Sequence, residues 1–321
     1  MPTRRVTGIH HVTAIASDPQ RNLDFYTRVL GLRLVKLTVN FDDPGTYHLY
    51  FGNGEGTPGS ILTFFPWPGA YQGTVGSGQV AASAFAAQTE SADYWTARLG
   101  EHGISAERAG QRFGEPVIRF PDPDGLPLEI VATSRDHPEV AWQGGPVPDA
   151  HALRGFHSAT LNEADHPATA ATLAVIGFSL AGHEGNRFRY QVGEGAAGIL
   201  DVLHEPTARH GRLGAGTVHH IAFRTPDDGE QRAWREDLSG RGYDVTPIAD
   251  RMYFRSIYFR EPGGVLFEVA TDPPGFATDE VREHLGERLM LPEWLEPERA
   301  LLERRLPRLT RGDASAVRPN G

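Results

Sequence analysis

Two pairs of adjacent histidines carry the most chemistry in this chain. "GIHHVTAI" at 8–15 holds His10 and His11, and "GTVHHIAF" at 216–223 holds His219 and His220. Both pairs interrupt apolar, β-branched runs that read as strands. A third apolar run, "GGVLFEVAT" at 263–271, ends near the carboxylate of Glu268. The chain has 14 His and no Cys, so disulfides, thiolate ligands and cysteine nucleophiles are excluded. Any metal must be held by His, Asp or Glu. Two neutral imidazoles and one carboxylate on one face form a facial triad suited to Fe(II), with positions left open for other ligands; Mn(II) fits the same donors. For a single strand histidine, packing is the default reading. The recurrence of the doublet shifts the reading to metal ligation.

Internal repetition positions these residues. "GTVHHIAFRT" (216–225) aligns with "GQVAASAFAA" (78–87), and "FREPGGVLFEVAT" (259–271) with "FPDPDGLPLEIVAT" (120–133). The opening "VTGIHHVTAIASDPQRNLDFYTRVLGLRLV" shows the unit: a strand, Asp18 and Pro19 as helix-start signals, an amphipathic helix, Gly31 as its stop, then a strand. A further copy starts at "LRGFHSATLNEADHPATAATLAVIGFSL". Four modules of strand, helix and three strands follow, at about 5–66, 78–133, 153–205 and 215–271. The expected domains are an N-terminal half at 1–136, a Pro/Gly-rich linker at 137–152 and a C-terminal half at 153–274. If first strands of two modules converge with the last strand of one, a live site collects His11, His220 and Glu268. The matching positions elsewhere are Ser158, Ala82 and Glu129, a set without histidine. One metal per chain is expected, with Glu129 structural.

At this point the chain resembles the vicinal oxygen chelate superfamily, which includes glyoxalases, bleomycin-resistance proteins and extradiol dioxygenases. The likeness rests on the βαβββ repeats with "HHVT", "HHIAF" and "EPGGVLFEVAT" and covers nearly the whole chain. The resemblance implies an α+β fold, two halves of two modules each, with curved mixed sheets forming cups. "FFPWPGA" (64–70) and "DRMYFRSIYFREPGGVLFEVAT" (250–271) are similar to ring-cleaving dioxygenases that act on hydroquinones. That likeness implies that His10, Thr13, His219, Arg251 and Tyr258 surround the site as catalytic residues. Strand alternation points the other way: if His11 and His220 face the cup, His10 and His219 face away unless a bulge turns them in. Trp67 is either an aromatic wall of the pocket or a loop plug. His48, His157 and His204 are read as structural.

The expected activity is O₂-dependent cleavage of a small aromatic diol, with hydroquinones favoured over catechols. A proton-accepting imidazole and Arg251 on the far hydroxyl would assist. A catechol dioxygenase and a glyoxalase-like isomerase or lyase are the alternatives. With 39% hydrophobic and 22% charged residues among 321, the chain has the composition of a soluble globular protein. A net charge of -10 and a pI near 5.8 leave no electrostatic footprint for nucleic acid or anionic membranes. No apolar run is long enough to span a bilayer, and "MPTRRVTG" lacks a signal-peptide core. A cytoplasmic location is expected, and a homo-oligomer is left open. After Thr271, residues 275–310 read as amphipathic helices interrupted by Pro292 and Pro297, packed over the last module's mouth or on a partner subunit. A disordered tail is expected over 311–321, where the "RGD" at 311–313 is read as chance.

Overall fold

The computed structural model describes residues 4–135, 141–194 and 197–311. The start of the linker, and the tail with its "RGD" except Arg311, lie outside the described residues.

Four βαβββ modules are present. The first runs through β1 (Ile9–Ala16), α1 (Pro19–Asp24), β2 (Arg33–Asn40), β3 (Asp43–Gly52) and β4 (Ile61–Pro66). The second comprises β5 (Gln79–Gln88), α2 (Ala92–Glu101), β6 (Glu107–Arg112), β7 (Glu115–Pro121) and β8 (Pro127–Thr133). The third has β9 (Phe156–Glu163), α3 (His166–Val175), β10 (Ser179–Glu184), β11 (Arg187–Gln191) and β12 (Ile199–His204). The fourth has β13 (Thr217–Thr225), α4 (Asp228–Gly240), β14 (Ala249–Asp250), β15 (Arg255–Arg260) and β16 (Leu266–Thr271). Helix starts follow from their caps. Asp18 accepts from the Arg21 N–H at 2.8 Å and Asp227 from the Glu230 N–H at 2.9 Å, satisfying first-turn donors. After a π-turn at Phe25–Val29, Gly31 stops the first helical segment at φ 70°, a conformation that favours glycine.

The modules assemble into two eight-stranded mixed sheets, ordered β14-β15-β16-β13-β1-β4-β3-β2 and β10-β11-β12-β9-β5-β8-β7-β6. Each sheet therefore joins one module from each half of the chain: the first with the fourth, and the second with the third. The seam of the first sheet is the antiparallel pair β1–β13, which brings together strands from opposite ends of the chain.

Both histidine doublets sit at irregularities of this seam. Ile9 opposes Phe223 and His11 opposes Ala222, so His10 is an extra residue on β1. Thr13 opposes His220 and Ala14 opposes Val218, so His219 is the extra residue on β13. A bulge breaks strict alternation and lets consecutive side chains turn toward one side. The expectation from plain periodicity, that His10 and His219 face away, gives way for this reason. The β5–β9 seam has matching shifts at Ala81 and His157, so the bulges belong to the repeated architecture and not to the first sheet alone.

The segment after Thr271 differs from the expected amphipathic helices. It contains 3₁₀ turns at Phe276–Thr278, Arg282–His284 and Glu293–Glu298, then one short helix, α5 (Arg299–Arg305). Pro292 caps the third turn and Pro297 lies inside it, removing N–H donors that a continuous α-helix would need. The segment covers β2, the outer edge of the first sheet, and so lies along the first module. The Met290 N–H donates to the Leu37 carbonyl at 2.9 Å, and the buried Lys36 ammonium reaches Asp279 at 2.6 Å and Glu280 at 2.5 Å. Covering a strand edge removes unpaired backbone groups from solvent.

Candidate metal centre and its cavity

His11 from β1, His220 from β13 and Glu268 from β16 meet at one buried point. Glu268 Oε2 lies 3.3 Å from His11 Nε2 and 3.0 Å from His220 Nε2, and the two Nε2 atoms are 3.2 Å apart. All three side chains are buried. Glu268 Oε1 accepts a 2.5 Å hydrogen bond from Ser256, but Oε2 has no partner of hydrogen-bonding geometry. Among the described residues this is the one cluster of three metal-ligating side chains whose ligand atoms lie within 4.8 Å of one another.

The doublet partners set which nitrogens carry protons. His10 Nε2 faces the Thr271 carbonyl at 3.2 Å, an acceptor, so it must carry hydrogen. Burial, followed by the field of His11, lowers the His10 pKa well below its ordinary value and keeps the ring neutral. His10 Nδ1 is then bare and accepts from His11 Nδ1, 2.9 Å away. This leaves a lone pair on His11 Nε2, aimed at the unpartnered Glu268 oxygen. An electron-rich hollow of this kind fits a divalent cation, and backing a ligand imidazole through its second nitrogen is a common feature of metal sites. His219 Nδ1 stands 2.8 Å from His220 Nδ1 in the same relation. Here the symmetry ends. His10 is buried beneath Phe254, whose ring also lies 4.9 Å from His11, whereas His219 is half-buried and lines a cavity of about 210 Å³. Burial, His220 and then Arg260 bring the His219 pKa down to about 3.

The cavity is lined by His219 and His220 with Val218, Arg260 and Leu266 of the fourth module, and by His210 and Gln79. Outside that lining, the first module carries an aromatic ladder that reaches His219 through Phe65. The ring of His48 lies 4.0 Å from Tyr50 and 4.4 Å from Phe65, and Phe65 lies 5.3 Å from Trp67 and 5.8 Å from His219. Trp67 ends this row of rings, with its indole N–H on Asp43 at 2.9 Å. Burial, then His11 and His220, lower the His48 pKa well below its ordinary value. Its Nε2 meets Thr63 at 2.8 Å and its Nδ1 meets Tyr50 at 2.8 Å. Thr13 reaches the same Thr63 at 3.0 Å but is fully buried.

Beside His220, the Tyr258 ring lies 5.7 Å from the imidazole, and its hydroxyl accepts from Arg251 Nε at 3.3 Å. Arg251 is held by a tight turn in which its N–H donates to the Phe254 carbonyl at 2.9 Å and Met252 takes a left-handed φ of 69°.

From sequence His48 was read as structural, and Phe254 and Ser256 were not singled out. A signal existed: "HLYF" at 48–51 matches "SIYF" at 256–259, which pairs His48 with Ser256 and Tyr50 with Tyr258. By the same relation Thr63, opposite Thr13, takes the place of Glu268, opposite Ala222. The second sheet shows what becomes of the unused set. Arg112 grips both oxygens of Glu129 at 2.6 and 2.8 Å, and Ser158 hydrogen-bonds His157 at 3.0 Å, so that cup is closed by its own charges. His157 also meets Glu115 at 3.1 Å, and His204 meets a backbone carbonyl at 3.2 Å; both are structural. No helix among the described residues is long and apolar enough to cross a membrane.

Comparison with known proteins adds family information. Residues 8–130 and 149–269 match the family described as "Glyoxalase/Bleomycin resistance protein/Dioxygenase superfamily". MhqO of Bacillus subtilis (strain 168), provisionally named a ring-cleaving dioxygenase, is 48% identical over 94% of this chain and 96% of its own. The chlorohydroquinone/hydroquinone 1,2-dioxygenase of Sphingobium indicum is 39% identical over 91% of this chain and 93% of its own. A crystal structure provisionally described as a dioxygenase from Bacillus subtilis subsp. subtilis str. 168 is 47% identical. It superposes with a TM-score of 0.92, covering 96% of this chain and 98% of the other.

Proposed function

The chain belongs to the glyoxalase/bleomycin resistance protein/dioxygenase superfamily and, within it, to the ring-cleaving dioxygenases, and from that membership we propose that it opens hydroquinone-type rings with O₂ at an Fe(II) held by His11, His220 and Glu268. The observation that carries the reading is the convergence of three ligand atoms on a buried point where Glu268 Oε2 has no hydrogen-bond partner. Fe(II), when bound, supplies a redox path between an electron-rich ring and O₂, with Mn(II) as the other metal these donors accept. The chain's own residues then select and hold the ring. The ladder Tyr50–His48–Phe65–Trp67 provides an aromatic wall, and offset or tilted ring contacts of this kind favour an aromatic ligand.

His219 is the polar residue beside the metal face of the cavity. With His220 acting as a ligand through Nε2, its Nδ1–H is given to His219 Nδ1, and the proton of neutral His219 sits on Nε2. His219 therefore donates to a substrate oxygen and favours its anionic form; it does not begin as a proton acceptor. A para-diol places one oxygen at the metal and the other a ring's length away, where it needs a partner. Arg251 supplies one: Nε is on Tyr258, Nη1 is on Asp42, and Nη2 has no partner among the described residues. His10, Phe254 and Ser256 orient the ligands.

The test is oxygen uptake by iron-loaded protein on addition of methylhydroquinone, with the product followed by mass. One O₂ consumed per ring, with both atoms retained in a ring-opened product, is the expected result. Uptake with catechol but none with hydroquinones would reject the substrate class.

A further inference from the structure

The first sheet is open in its hydrogen bonding, yet its two edges meet. β2 and β14 are the outermost strands, at opposite ends of the strand order. The turn after β2 carries Asp42, and the residue after β14 is Arg251. Asp42 Oδ2 accepts from Arg251 Nη1 at 2.9 Å, a bond between groups 209 residues apart. Asp42 is held in that turn by its N–H on Asn40 at 3.0 Å, and its neighbour Asp43 is committed to Trp67 and Thr46, both at 2.9 Å. Asp250, the other carboxylate beside Arg251, accepts from the Met252 N–H at 2.7 Å. The guanidinium is thus fixed at Nε and Nη1, and its charge has one direct carboxylate partner, Asp42.

We propose that Asp42 is a specificity-determining positioning residue: it aims Arg251 Nη2 at the far end of the bound ring and cancels the arginine's charge, so that the cup takes rings whose far substituent is a neutral hydroxyl or ether and discriminates against a carboxylate there. An isolated guanidinium recognises a carboxylate through charge and paired hydrogen bonds. With Asp42 on one nitrogen, that fork is occupied and an incoming anion meets a second negative charge close by. A hydroxyl meets no such penalty, since it accepts from Nη2 and can give its own hydrogen to the carboxylate. Placing Arg251 at the far substituent rests on the proposed orientation of a para-diol.

The experiment measures binding of two monophenols, 4-methoxyphenol and 4-hydroxybenzoate, to the metal-loaded protein by calorimetry. Wild type should prefer 4-methoxyphenol. Asp42→Asn should shift the ratio of the two dissociation constants toward 4-hydroxybenzoate by about threefold, the scale of an ion pair whose carboxylate is largely open to solvent. Asp42→Glu should keep the wild-type ratio, and Asp43→Asn, in the same turn, should leave it unmoved. An unchanged ratio in Asp42→Asn, equal weakening of both ligands, an equal shift from Asp43→Asn, or failure of the wild type to bind either monophenol overturns the proposal. Failure of wild type to consume O₂ with any para-diol would remove the substrate reading alone, because the monophenol ratio is read without turnover.

Discussion

His10 and His219 occupy equivalent bulges, yet only one touches the cavity, and this asymmetry yields distinct expectations. His10→Ala removes the acceptor behind His11 and should weaken metal binding about 10–100-fold, the usual effect of losing an outer-shell partner. His219→Ala should retain most of the metal and lose about 10²-fold in turnover number. His219→Gln, which restores an N–H donor but offers no imidazole base, should recover part of that loss. Metal analysis with single-turnover kinetics checks all three; a His219→Gln variant as slow as His219→Ala would restore the proton-acceptor role. The convergence of His11, His220 and Glu268 was legible because the doublet recurs. His48 was not, because its counterpart in the repeat is Ser256, so no matched histidine marked it. The orientation of His10 also escaped a period-two reading, since a bulge is a property of strand pairing and leaves no periodic trace in one strand.

Strands and turns carry a second set of consequences. Four strand–helix–strand units were readable from their repeated motifs, but the path after Thr271 was not, because its apolar residues serve a strand edge and not a helix stripe. One strand end holds a buried carboxyl: Glu163 closes β9, both its oxygens lack partners, and Gly263 leaves it room, since a Cβ there would lie 1.9 Å from Glu163 Oε2. Burial, then the nearby Glu261, raise the Glu163 pKa to about 8. The folded protein therefore keeps a proton that the unfolded chain releases near its ordinary carboxyl pKa. Stability from this group is present below that value and declines as pH rises through about 8. Glu163→Gln should flatten the decline, so that its melting temperature exceeds that of wild type at pH 9 and differs little at pH 5. Parallel melting curves for the two proteins across that range would show that Glu163 ionises without cost.

At the scale of the whole chain, the seam β1–β13 would make a metal held by His11 and His220 a bond between opposite ends. His11 and His220 are 209 residues apart. A ligand that binds the folded state alone stabilises it by mass action, about 2.7 kcal/mol at a hundredfold excess over Kd. Loading with Fe(II) should therefore raise the melting temperature by about 5 °C, and a chelator should reverse it. A melting temperature indifferent to metal, in protein shown to bind it, would contradict a site shared between modules. The nested pairing, with the second and third modules inside the first and fourth, also dictates a timetable for the chain as it leaves the ribosome. The inner sheet can close while synthesis is still under way, but β1 must wait with an unpaired edge until β13 emerges. Unfinished chains are for that interval both catalytically empty and exposed to strand pairing with one another, so a cell making this protein has reason to keep translation fast into its last third, where β13 lies.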